Sequence, residues 1–144
     1  MSEKTPANSV GLVTPQVARC DSPFTFANGA VLGSHELVYE TYGELNSAGD
    51  NAVLICHALS GSHHAAGFYA SDDHRPGWWD LAIGPAKPID TERLFVVCSN
   101  NLGCCDGSSG PNTVNPDTRK PWGGQFPQPQ VQDWVRSQKW LAEK

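Results

Sequence analysis

Directly after the apolar run Ala52-Val53-Leu54-Ile55-Cys56, the chain reads His57-Ala58-Leu59-Ser60-Gly61-Ser62-His63-His64. Small residues and a glycine at that point let the backbone turn sharply and direct N–H groups outward. Donors so placed can stabilise an oxyanion that develops during acyl transfer, and one of them is worth about 3 kcal/mol in the transition state. The same residues also describe a tight strand-to-loop turn with a satisfied histidine. A second segment, Ser99-Asn100-Asn101-Leu102-Gly103-Cys104-Cys105-Asp106-Gly107-Ser108-Ser109-Gly110-Pro111, again follows an apolar run. Gly103, Gly107 and Gly110 permit positive φ and close packing. The segment lacks the G-x-x-x-x-G-K-[ST] arrangement of a phosphate loop, and taken alone it reads as a structured turn.

Other residues with chemical potential are less persuasive. Trp78 and Trp79, in Arg75-Pro76-Gly77-Trp78-Trp79-Asp80, can line a pocket, but core packing is the expected role for side chains that bury so much area. His57, His63, His64 and His74 cluster in the sequence near Cys and Asp, yet no spacing matches a zinc pattern, and no metal is expected. No G-x-S-x-G turn occurs, so Ser60, Ser62, Ser108 and Ser109 lie in loops without the strained elbow that a serine nucleophile requires.

The elements that must position these segments follow from periodicity. Ala52–Cys56 and Leu94–Cys98 are short, continuous apolar runs, expected as strands of a parallel sheet covered on both faces. His35–Tyr42 alternates Leu37, Tyr39 and Thr41 with Glu36, Val38 and Glu40, a period-2 strand. Weaker strand signals fall at Gln16–Cys20 and Phe24–Phe26, and Asn28-Gly29 marks a hairpin turn. Val131–Lys144 is expected as a helix with Val131, Trp134, Val135, Gln138 and Leu141 on one face and an Asp133–Arg136 pair at i,i+3. Strand, long loop, strand, long loop, helix is the order of an α/β protein, whose ligands sit beyond the carboxyl ends of the strands. Residues 1–15 are expected to be disordered or loosely held, with one domain over 16–144.

Composition agrees with a globular chain of 144 residues, 39% hydrophobic and 17% charged, with 14 Gly and 11 Pro marking long ordered connections. A net charge of −5 without a basic stripe argues against nucleic-acid binding. No apolar run reaches the roughly 20 residues that span a bilayer, and the polar start carries no signal peptide. A cytoplasmic location is the default. Five cysteines, an odd number, suit thiols in a reducing compartment; Cys56 and Cys98 are expected to be buried and inert, and a Cys104–Cys105 bridge is not expected.

The ordered set ETYGELN (40–46), AVLICHALSG (52–61), PGWWD (76–80), IGP (83–85), NNLG (100–103), GSSGP (107–111), NP (115–116) and DWVRSQ (133–138) resembles the homoserine O-acyltransferases of methionine biosynthesis. The resemblance implies a partial α/β-hydrolase fold: the first strands of a mostly parallel sheet, long active-site loops and one helix at the end. It implies acyl transfer from succinyl-CoA or acetyl-CoA to L-homoserine by a Ser-His-Asp ping-pong mechanism. Acyl-CoA is then a co-substrate, no cofactor is permanently bound, and the complete enzyme is a homodimer. It assigns Leu59 to the oxyanion hole, Ser60 and Gly61 to the acyl pocket, and His57, Asn100, Asn101, Gly103 and Gly107 to the pocket scaffold. The HALSG form, with Ser60, looks like the succinyl-preferring members. The family's serine, aspartate and histidine have no counterpart in these residues, so the chain alone is expected to be inactive and marginally folded. Two departures stand out: Cys104 replaces a second Gly after NNLG, where a Cβ would strain a positive-φ position by about 1 kcal/mol, and Gln128-Pro129-Gln130 precedes the helix in place of apolar residues. The alternatives are a non-catalytic partner or remnant of such an enzyme, and a small metal-binding module.

Overall fold

The β-branched runs form a mixed sheet. The computed structural model describes residues 6–144, so Met1–Thr5, part of the stretch expected to be loose, lie outside the described residues. The elements are β1 (Gln16–Cys20), β2 (Phe24–Thr25), β3 (Val31–Leu32), β4 (His35–Tyr42), β5 (Ala52–Ile55), β6 (Ile83–Gly84), β7 (Ile89–Asp90), β8 (Phe95–Ser99), a 3-10 turn (Gly123–Gln125) and α1 (Val131–Ala142). The larger sheet has the order β1-β4-β8-β5. The chain divides into two compact units, one holding the residues up to Gln16 with Tyr39–Ser99, the other Val17–Val38 with Asn100–Lys144.

In the first unit, β8 pairs antiparallel with β4, Tyr39 opposite Ser99 and Tyr42 opposite Val96. On its other side it pairs parallel with β5, Ala52 opposite Phe95 and Ile55 opposite Cys98. The long connection between β5 and β8 contains the short parallel pair β6–β7. Tyr42, Ile55, Ala65, Ala66, Ile83, Val96 and Cys98 form the core, with Val10, Val13, Val53, Ile89 and Leu94 packed around it. Ahead of β1, Leu12 bridges to Phe68, and Val13 N–H donates to Phe68 O. The expectation of cover on both faces is met in part at β8, whose Val96 and Cys98 are buried while Phe95 and Val97 are half-buried, and fails for β5, an edge strand whose Leu54 is 44% exposed and whose neighbour Cys56 is exposed. The apolar run encodes two covered faces, and these residues supply cover for one of them.

In the second unit, β2 and β3 form the expected hairpin, with Gly29 at φ 85° and Asn28 Oδ1 accepting from Ala30 N–H. An aromatic cluster packs beside it: Phe24 against Phe26, Phe26 against Phe126, and His35 edge-on to both Phe24 and Trp140. The helix forms as expected, and its buried face is the expected one in part: Gln138 and Leu141 are buried and Trp134 half-buried, as the pattern required, but Asp133 and Ser137 join them in place of the two valines. Asp133, Ser137, Gln138 and Leu141 face inward, while Val131 and Val135 are 68% and 58% exposed. The inward stripe is polar because each polar group there is paired. Asp133 accepts from Ala27 N–H at 2.9 Å, from Gln130 N–H at 2.8 Å and from Arg136 at 2.6 Å, the expected i,i+3 pair. Gln138 donates to Asn101 Oδ1 at 2.7 Å and Ser137 to Trp134 O at 2.9 Å. Gln130 completes a capping box with Asp133, which accounts for the polar approach to the helix.

Burial would raise the Asp133 carboxyl, but the bonds from Gln130, Arg136 and Ala27 outweigh it and hold it below the usual carboxylate range. Asp133→Ala is expected to cost about 2–4 kcal/mol, the loss of a cap plus that of a buried acceptor, readable from urea denaturation. Burial lowers the His35 pKa, and neither ring nitrogen has a hydrogen-bond partner among the described residues. The unfolded chain therefore takes up a proton near pH 6.5 that the folded one refuses. The His35 contribution is complete above that pH and is lost as pH falls below it. Comparing urea midpoints at pH 7 and pH 5 should show a drop that His35→Phe reduces.

Candidate functional site

The turn after β5 is local in its making. Gly61 N–H donates to Ala58 O at 2.8 Å, closing a four-residue turn with Leu59 and Ser60 at its centre. The Leu59 N–H has no backbone acceptor among the described residues, and the Leu59 side chain is 88% exposed. His57 is buried behind the turn with Nδ1 2.7 Å from Ala58 O. A Cβ on Gly61 would stand 3.0 Å from that of His57, so the turn closes this tightly only with glycine there. His57, Leu59, Ser60 and Gly61 are thus brought together after the carboxyl end of β5.

The segment following the turn is bound to β4 and to the tryptophan motif. Ala65 N–H and Ala66 N–H donate to the Tyr42 hydroxyl at 2.9 and 3.1 Å. That hydroxyl donates to Glu40 Oε2 at 2.7 Å, and His64 Nδ1 lies 3.1 Å from the same oxygen. Burial first, then the Glu40 carboxylate, raises the Tyr42 pKa, so the phenol keeps its proton. From the other side, Trp78 N–H donates to His64 O, Trp79 N–H to Ala65 O, and Gly67 N–H to Asp80 Oδ1 at 2.9 Å. Asp80 in turn pairs with Lys87 at 3.1 Å, both side chains nearly enclosed. The tryptophans are not core. Each is 43% exposed, they stack with centroids 5.3 Å apart, and Trp78 donates its indole N–H to Ser62 O at 2.9 Å. Gly77 packs against the Ala65–Ala66 backbone, which leaves no room for a side chain at that position.

The second loop is built within the other unit. Asn100 is buried, and its N–H donates to Val38 O at 2.7 Å. Its side-chain amide has no hydrogen bond among the described residues. Gly103 (φ 88°) packs under Pro129, and Gly107 (φ 94°) packs on Val38, where Cβ atoms would come within 2.6 and 2.8 Å. Gly110 has no positive φ; a Cβ there would stand 2.6 Å from Cys104 O. Ser108 Oγ accepts from Val38 N–H and donates to Asn100 O, and Ser109 Oγ accepts from Glu36 N–H. These hydroxyls hold the loop to β4. The strain expected at Cys104 is absent, because the positive φ falls on Gly103 and not on its successor.

Sequence reasoning missed Glu40 and Tyr42 as supports of the turn. The signal was present: Val38, Glu40 and Tyr42 share one strand face, and an acid between two apolar side chains marks a buried, paired carboxylate. It also placed Cys56 with Cys98. Burial, with the Glu40 charge and Cys56 after it, pushes the Cys98 thiol up to about 12. Thiol labelling at pH 8 with mass-spectrometric readout should modify the exposed Cys56 and Cys105 at least ~10-fold faster than Cys98, because the thiolate is the reacting species.

No protein-family model matches the chain. Its sequence is 62% identical over all 144 residues to the homoserine O-succinyltransferase of Pseudomonas entomophila (strain L48) and 60% identical over 144 residues to that of Stutzerimonas stutzeri (strain A1501). The chain spans 38% of the length of each. Among solved structures, the homoserine O-acetyltransferase from Bacillus anthracis matches 92% of the chain at a TM-score of 0.85 and 37% identity, over 36% of its own length. Esterase E22 matches 92% of the chain at a TM-score of 0.85 and 40% identity, over 37% of its own length. The chain is therefore homologous, along its whole length, to a portion of the homoserine O-acyltransferases, and it carries part of an α/β-hydrolase fold.

Proposed function

We propose that this chain supplies the oxyanion-binding portion of a homoserine O-acyltransferase. In the complete protein a serine attacks the thioester carbonyl of succinyl-CoA or acetyl-CoA, the CoA thiolate leaves, and the acyl-enzyme is collected by the L-homoserine hydroxyl. Each half-reaction passes through a tetrahedral oxyanion, and the Leu59 N–H is the donor this portion offers it. A Leu59 N–H without a backbone acceptor among the described residues, in the turn that follows a parallel strand, is the observation that carries the reading. Ser60 and Gly61 flank it as acyl-pocket residues. Asn100, Asn101, Gly103 and Gly107 are the scaffold residues of the second loop, and His57 is that of the first. A cytoplasmic location and a homodimeric complete enzyme go with this reading. Among the described residues no helix is long and apolar enough to cross a membrane.

The test is made in the complete protein that carries these residues. CoA release from succinyl-CoA and acetyl-CoA should depend on L-homoserine, with O-acyl-homoserine found by mass spectrometry. CoA release that ignores homoserine and yields only free acid would assign a hydrolase instead. Leu59→Pro deletes the one N–H while proline suits the second position of such a turn. It is expected to lower kcat by roughly 10²–10³ with little change in KM. An unchanged kcat would remove Leu59 from the site.

A further inference from the structure

We propose that Glu40 is a positioning residue for the oxyanion turn: its buried carboxylate, acting through the Tyr42 hydroxyl and the His64 ring, fixes the Ser62–Gly67 segment that continues from Ala58–Gly61. The purpose of that fixing rests on the acyl-transfer reading, whereas the anchoring itself rests on geometry.

Glu40 lies fully buried on β4, opposite Cys98 of β8. A carboxylate so placed costs several kcal/mol in desolvation unless hydrogen bonds satisfy it. Its Oε2 takes the Tyr42 proton at 2.7 Å and lies 3.1 Å from His64 Nδ1, while His63 Nε2 stands 3.9 Å from Oε1. A phenol hydroxyl has one proton and accepting lone pairs. By drawing that proton, Glu40 leaves the lone pairs to the amides of Ala65 and Ala66 at 2.9 and 3.1 Å; Ala65 N–H is shared with His63 O at 2.9 Å, so Ala66 N–H is the sharper reporter of the hydroxyl. Without Glu40, the nearest other acceptor for the proton is His63 O at 3.4 Å, a long bond.

Trp78, Trp79 and Asp80 hold the segment from one side, and the Tyr42 hydroxyl ties it to β4. Ala65 and Ala66 are fully buried but bring only methyl groups to the core, so polar bonds set its position more than side-chain volume does. His64 is held on its other face by stacking on Tyr69, centroids 4.0 Å apart. Chained bonds of this kind polarise one another, so removing the first acceptor weakens those beyond it.

Amide exchange followed by NMR on the 15N-labelled 144-residue chain tests this. Glu40→Met fills the space and removes the acceptor. It should speed exchange at Ala65 and Ala66 by roughly tenfold or more while the amides of Val96 and Cys98 stay within about twofold. Glu40→Gln retains a carbonyl for the Tyr42 proton and should return Ala65 and Ala66 to within about threefold of the parent. Tyr42→Phe keeps the ring and must reproduce the loss at Ala65 and Ala66, and it decides the matter if Glu40→Met does not fold. Unchanged exchange at Ala65 and Ala66 in Glu40→Met or Tyr42→Phe overturns the proposal, as does acceleration of Val96 and Cys98 to the same degree. A complete protein without acyl-transfer activity would remove the turn's purpose and leave these rates as they are. Rates that ignore Glu40 would remove the anchor and leave the acyl-transfer result as it is.

Discussion

The Tyr42 hydroxyl joins a regular strand to a stretch of chain that has no regular structure. It gives its proton to Glu40 and receives two successive amides from Ala65 and Ala66. A loop lacks the repeating ladder that satisfies a strand or helix, so each buried N–H in it needs its own acceptor. In the first unit a phenol on β4 supplies two of them. The turn closed by Ala58 O and Gly61 N–H lies a few residues upstream of that attachment.

The same device recurs in the second unit with a smaller side chain. Ser108 Oγ accepts from Val38 N–H and donates to Asn100 O, so a hydroxyl again bridges a loop and β4. Glycines make the close approach possible: Gly107 lies against Val38 and Gly103 against Pro129, each at a positive φ that glycine, lacking a Cβ, adopts without strain. At Asp133 a buried carboxylate ties the start of α1 to Ala27 of the hairpin loop. In each unit, polar groups on regular elements terminate irregular backbone, and the apolar core is correspondingly modest.

Much of the fold was legible in the residues. The apolar runs at 52–56 and 94–98 became neighbouring parallel strands, Asn28-Gly29 became a hairpin turn, and Asp133 and Arg136 became an ion pair on a helix. Of the candidate site, the sharp turn at Ala58–Gly61 was legible because small residues after an apolar strand have few other uses. The inward face of α1 was legible only in part: Gln138 and Leu141 are buried as read, but hydrophobicity also selected the exposed Val131 and Val135 and passed over Asp133, whose partner Ala27 is distant in sequence. The exposure of Trp78 and Trp79 was equally hidden, since their backbone is held by His64 and Ala65, residues distant in sequence.

Local periodicity and turn chemistry depend on residues a few positions apart, and for that reason strand, turn and helix positions could be read from the chain. The ordered motifs carried the family resemblance in the same way. Which groups are buried, which amide finds which hydroxyl and which face of a strand is covered depend on contacts between segments far apart in sequence. Glu40 reads as one more alternating strand residue until Tyr42 and His64 close around it. Its charge then costs several kcal/mol unless paired, and pairing is a property of the folded chain.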